Sequence, residues 1–188
     1  MQRTKSLGLL FCLTTLAQAQ EGTYDGRTSA EWSRLLEAGK NGRESLAAGG
    51  AKALPVVRIL LADKNEGTVQ HAARVCEAMG PTASPAIPDL LRGLRTANRW
   101  WTRLYCAQAL GSIGRSEPAI LDALFDGLQS PAAAHLRQTC ARALWLLSSV
   151  TSLGSLHSIL SPAVVLKLLA DPDHGPYSQQ DQERGAHG

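Results

Sequence analysis

The chain of 188 residues contains no Cys-x-x-Cys and no zinc-type spacing, which removes the commonest structural metal sites. Its five histidines are His71, His135, His157, His174 and His187. None lies in His-Glu-x-x-His and none is followed by Glu, so metalloprotease-type hydrolysis has no residues to carry it. No nucleophile-elbow signature places a Ser for acyl transfer. Asp122 and Asp126 stand four apart on one helical face. Without a cleft or a partner group, such a pair is read as solvated carboxylates rather than an acid–base couple. No apolar run after the N-terminus is long enough for a membrane helix.

What the N-terminus does contain reads as an export signal. Arg3 and Lys5 precede the apolar run "LGLLFCLTTL" (7–16), which is too short to span a bilayer. Ala17-Gln18-Ala19 puts small residues where a signal peptidase reads, so cleavage is expected after Ala19. Cys12 follows Phe11 instead of a small residue, unlike a lipoprotein signal. Removing Arg3 and Lys5 leaves 17 basic against 16 acidic residues. The pI near 8.8 therefore does not argue for nucleic acid.

The body of the chain repeats. "GAKALPVVRILLAD" (50–63), "SPAIPDLLRGLRTA" (84–97), "SEPAILDALFDGLQ" (116–129) and "SPAVVLKLLAD" (161–171) each open on small residues or Pro and continue apolar at helical spacing. Ile87, Leu90, Leu91 and Leu94 mark one such face. Ser84-Pro85 and Ser161-Pro162 read as N-caps followed by a first-turn proline. A second helix follows each of the first three: "ARVCEAMG" (73–80), "LYCAQALG" (104–111) and "RQTCARALW" (137–145). Cys106, Ala109, Leu110 and Ile113 match Cys140, Ala143, Leu144 and Leu147 at a spacing of 34, while Ala78 to Ala109 gives 31. Helix pairs at this period, none able to bury its face alone, predict an all-α fold, an α-solenoid of stacked antiparallel pairs.

The string small-small-Pro-x-Leu-Leu, a polar turn, then Arg-x-x-x-Ala-x-Ala-Leu-Gly resembles the short bacterial HEAT-like repeat, of the type also found in bilin lyases, over residues 50–171. "YDGRTSAEWSRLLEAG" (24–39) is similar to the lead-in helix of exported HEAT-like proteins, with a Thr28/Glu31 capping box and a Trp32, Leu35, Leu36 stripe. The resemblance implies about three full helix pairs, a leading helix and a terminal half-repeat. Arg103 and Arg137 match the family's Arg at the start of the second helix; Ala72 takes that place in the first full repeat. The predicted organisation is a signal at 1–19, a HEAT-like domain at 20–171 and a polar, disordered tail at 172–188. Residues 148–160 are Ser-rich and read as a longer loop.

Cys76, Cys106 and Cys140 remain after cleavage. Their odd number and core register predict buried free thiols, since stacked helices lie about 8–10 Å apart and a disulfide needs Cα atoms within about 7 Å. The candidate binding site is "NRWWTRLYCAQALGSIG" (98–114) with the helix before it. Adjacent helical residues point about 100° apart, so one of Trp100 and Trp101 is expected to fill the joint between repeats and the other to be at least partly exposed, with Thr96 or Asn98 as the helix cap. Arg92, Arg95, Arg99 and Arg103 surround them in a segment with no acidic residue, and Arg and Trp are the residues enriched at binding hot spots.

The reading that follows is an exported, non-catalytic scaffold that binds a protein or peptide. The alternatives are a lyase- or glycosylase-like helical-repeat enzyme, for which Asp89 is the nearest acid, or a binder of anionic surface glycan through the Arg/Trp patch. No metal, cofactor, nucleic acid or stable membrane insertion is expected.

Overall fold

The structure is a computed structural model and describes residues 22–39, 41–130 and 133–150. The expected export signal at 1–19, half-repeat at 161–171 and tail at 172–188 lie outside the described residues.

The described chain is predominantly helical and opens with a minimal hairpin. β1 (Thr23–Tyr24) pairs antiparallel with β2 (Arg27–Thr28). Asp25 and Gly26 between them both have positive φ, 52° and 69°, as a two-residue hairpin turn requires. The hairpin delivers Thr28 as the cap of α1 (Ser29–Glu37), and the capping box forms as read: Thr28 Oγ1 accepts from Glu31 N, and Thr28 N donates to Glu31 Oε2. Trp32 is buried and its Nε1 donates to Tyr24 O at 3.0 Å, fastening helix to hairpin.

A helix absent from the sequence reading follows, α2 (Gly42–Gly49), with Leu46 fully buried. The single leading helix is therefore a leading pair. Three further pairs come next: α3 (Leu54–Leu61) with α4 (Glu66–Met79), α5 (Ile87–Thr96) with α6 (Trp100–Ile113), and α7 (Pro118–Leu128) with α8 (Ala134–Val150). The second members pack in chain order, α2 on α4, α4 on α6 and α6 on α8. The first members follow beside them, α1 on α3, α3 on α5 and α5 on α7. One continuous apolar core runs between the two sets, from Trp32 to Leu147.

Several local expectations need correction. Ser84-Pro85 does not cap α5. It lies inside a 3₁₀ stretch, Gly80–Ala86, where Ser84 Oγ donates to Pro81 O at 2.6 Å; α5 instead has Pro88 in its first turn, where a missing N–H costs nothing. The spacing of 31 also fails. α4 and α6 are each 14 residues long and their bounds differ by 34 at both ends. In that register Ala72, Val75, Cys76 and Met79 occupy the columns of Cys106, Ala109, Leu110 and Ile113, and all eight are buried. Ala78, which the string match aligned with buried Ala109, is exposed. By the same offset Val69, not Ala72, stands in the column of Arg103. Residues 148–150 belong to α8 rather than to a loop.

The cysteines are free and fully buried, as read. Burial pushes each thiol up to about 12. Cys106 and Cys140 share one column; Cys76 stands instead in the column of Leu110 and Leu144.

Candidate functional site

The predicted Arg/Trp patch sits at the α5–α6 turn. No side chain within the turn caps α6. Thr96 Oγ1 donates back to Arg92 O at 2.8 Å, and the cap position belongs to Arg99. The orphan N–H groups are met from the preceding repeat: Asn98 N and Arg99 N each donate to the Glu66 carboxylate at 2.9 Å. Burial works against that charge, but the two backbone bonds, the Asn98 side chain and the charge of Arg99 together hold the carboxyl below its usual range.

Both tryptophans are half-buried. They differ in what they touch. Trp100 packs on the core, meets Trp101 edge-on at 5.7 Å and stacks on His135 of α8 at 5.8 Å and 25°. It fills the joint between neighbouring pairs. Trp101 lies under the Arg99 guanidinium, 5.4 Å from its ring centroid, a contact worth about 0.5–1 kcal/mol where exposed.

The other arginines are engaged within the fold. Arg103 Nε donates to Leu94 O at 2.9 Å at the end of α5, and Arg137, thirty-four residues on, donates to Ser130 O at 3.0 Å. Arg103 thereby ties off a carbonyl that the last turn of α5 leaves open, and Arg137 binds a carbonyl in the turn after α7. Arg92 pairs with Asp89 at 3.0 Å, and Arg58 pairs with the same carboxylate at 2.8 Å. Asp89 is therefore occupied by two guanidinium groups, and its side chain is only 11% exposed. Arg95 reaches Ala119 O at 3.4 Å. The acids that balance this segment, Asp89 and Glu66, lie just outside it or in another repeat. Arg99 and Trp101 are what the patch still offers to a partner.

A second surface was missed. Glu77 of α4, Gln108 and Ser112 of α6, and Thr139 and Arg142 of α8 line a hollow of about 120 Å³ across three successive second helices. Gly111 forms its floor: a Cβ there would stand 3.0 Å from Ala143 Cβ, so α6 and α8 approach closely only because Gly111 has no side chain. One turn before Glu77, Arg74 lies over the Tyr105 ring at 5.1 Å. Beyond Arg142, Trp145 is 42% exposed. The signal that would have found this face is the column Arg74, Gln108, Arg142 at a spacing of 34.

Among the described residues no three His, Cys, Asp or Glu side chains are grouped to hold a metal ion, and no helix is long and apolar enough to cross a membrane. Asp122 and Asp126 are both exposed on α7. No protein-family model matches the chain, and no curated protein and no solved structure matches it significantly.

Proposed function

We propose that this chain is an exported, non-catalytic scaffold of stacked HEAT-like helix pairs that binds a protein or peptide partner. The observation that carries the reading is the recurrence of structure at 34 residues. The bounds of α4 and α6, the buried columns, Arg103 and Arg137 and the helix-end glycines Gly80 and Gly114 all recur with it. Similar helix pairs packed in chain order support the reading of an α-solenoid, a fold in which second helices line one extended face. Such a surface serves recognition, and fold alone does not specify a reaction. The Arg99–Trp101 pair is the part of the predicted patch free to meet a partner, while Arg92, Arg95, Trp100 and Arg103 hold the frame.

Two measurements test the proposal. N-terminal sequencing of the protein recovered outside the cytoplasm should start at or within two residues of Gln20; an intact Met1 on the exported protein defeats cleavage. Crosslinking in the native exported fraction, followed by purification of the crosslinked protein and titration against the chain, should give saturable one-to-one binding. Turnover of that partner by the purified chain would defeat the non-catalytic reading.

A further inference from the structure

The described fold leaves three buried side-chain atoms without a hydrogen-bond partner: Arg43 Nε, His71 Nδ1 and Gln108 Oε1. They stand on α2, α4 and α6, three consecutive second helices. Buried polar atoms in a folded protein are nearly always paired, so the orphan of Gln108, which lines the hollow and stands in the row Arg74, Gln108, Arg142, marks a group that is satisfied by something else. Charge on the row is also unbalanced. Arg43 and Arg74 lie close enough to His71 to act on it, and burial together with those two cations holds its pKa below the usual value, with Glu37 opposing. Neither Arg74 nor Arg142 has an ion-pair partner among the described residues. Arg74 is instead preorganised on the Tyr105 ring.

We propose that this face takes an extended acidic segment of a partner protein, its carboxylates meeting Arg74 and Arg142 and one backbone amide pairing with the Gln108 side chain. The assignment rests on the scaffold reading above and names its partner chemistry. Dimensions agree with it. Arg74 and Arg142 are two helix spacings apart, about 16–20 Å, which five or six residues of extended chain cover at about 3.3 Å each. A peptide suits the hollow better than a polyanionic glycan does. A primary amide such as Gln108 matches the donor–acceptor pair of a peptide bond. Glu77 in the same hollow is an acceptor for the backbone N–H groups that a peptide carries along its length and a sulfated glycan chain does not. Trp145 at the end of the row offers apolar contact for a neighbouring side chain.

The test is fluorescence anisotropy with the full chain and a labelled decapeptide of alternating Glu and Ala ending in Leu. Its Gln-for-Glu counterpart and a heparin fragment serve as comparison ligands. The acidic peptide should bind at least tenfold tighter than the Gln peptide, and its affinity should fall as salt rises. The double variant R74Q/R142Q should lose at least tenfold in affinity with an unchanged melting temperature. Because Arg74 also packs on Tyr105, R142Q alone is measured as well, and it should lose at least threefold. Equal binding of the Glu and Gln peptides, full affinity in R142Q, or heparin displacing the peptide at lower concentration would each overturn the assignment. Those failures leave the scaffold reading standing, because the crosslinked native partner is identified without the peptide.

Discussion

Gly93 of α5 lies directly against Cys106 of α6: a Cβ built on the glycine would stand 2.7 Å from the sulfur. The same contact recurs one repeat later between Gly127 and Cys140. In each pair the first helix gives up a side chain so that the second can bring a sulfur into the seam. The equivalent positions in the preceding pair are Leu60 and Ala72, both buried, with the large and small residues exchanged. The bulkier member of the seam thus stands on the first helix in one pair and on the second helix in the next two.

Replacing Gly93 by Ala tests that contact. Alanine is better than glycine within a helix by about 1 kcal/mol. Overpacking a filled core costs about 1–3 kcal/mol, and the sulfur of fully buried Cys106 has nowhere to move. With the cost therefore at about 2–3 kcal/mol, the upper part of that range, the net expectation is a loss of about 1–2 kcal/mol in chemical denaturation. G93A/C106A should recover most of it, since the clash is gone and the helix gain remains. If G93A alone is neutral or stabilising, the seam is looser than the geometry requires.

The thiols should remain reduced even in an oxidising compartment. All three described cysteines are unpaired and fully buried, and with thiol pKa values pushed up to about 12 they hold almost no thiolate at neutral pH. A thiol reagent should react negligibly with the native protein and with three groups from Cys76, Cys106 and Cys140 after unfolding without reductant. A mass two hydrogens lower, with one thiol titrated, would refute the helix register.

Glu66 ties one repeat to the next by capping α6, and its removal should be felt as a lost cap. E66A is expected to cost about 1 kcal/mol. The pH dependence has a definite sign. The folded pKa lies below the unfolded value of about 4.3, so the stabilisation is fully present above the unfolded pKa. It is lost as pH falls through the folded value. The stability gap between wild type and E66Q should therefore be constant from pH 7 down to about 5 and close in more acid solution. A gap that widens on acidification would show that the carboxylate is not the cap.

These relationships also show what local sequence can and cannot convey. The Thr28/Glu31 box was legible because both of its partners lie within one turn. The buried columns of α6 and α8 were legible because Cys, Ala, Leu and an apolar residue recur at one spacing. The earlier repeat was misaligned by three residues because Gly80 and Gly111 both follow an apolar stretch of similar composition. Physically they do different work: Gly80 has φ of 56° at a helix end, like Gly114 at 74°, whereas Gly111 lies within the last turn of α6 against Ala143. α2 escaped notice because "GRESLAAG" carries a single large apolar residue, Leu46. The arginine patch read as unbalanced because Glu66 and Arg99 are thirty-three residues apart in sequence and meet only through the stacking of pairs. The second-helix hollow was invisible for the same reason, since its lining comes from three repeats.

The two tryptophans give the sharpest separation between frame and surface. Trp100 stacks on His135 and packs on the core, so its loss opens the joint between α6 and α8. A fully buried Trp costs about 3–5 kcal/mol on truncation; half-buried Trp100 should cost about 2–3 kcal/mol and lower the melting temperature. Trp101 meets Trp100 only by its edge and carries Arg99 on its face. W101A should change stability by less than about 1 kcal/mol. Against a native partner obtained by crosslinking, W101A should cost about 2 kcal/mol of binding or more if Trp101 is a hot spot, while the folded fraction of W100A binds close to wild-type affinity. The measurement is a melting curve and a titration for each variant. If W101A binds that partner at full affinity, the Arg99–Trp101 pair is part of the frame as well, and recognition lies elsewhere on the molecule.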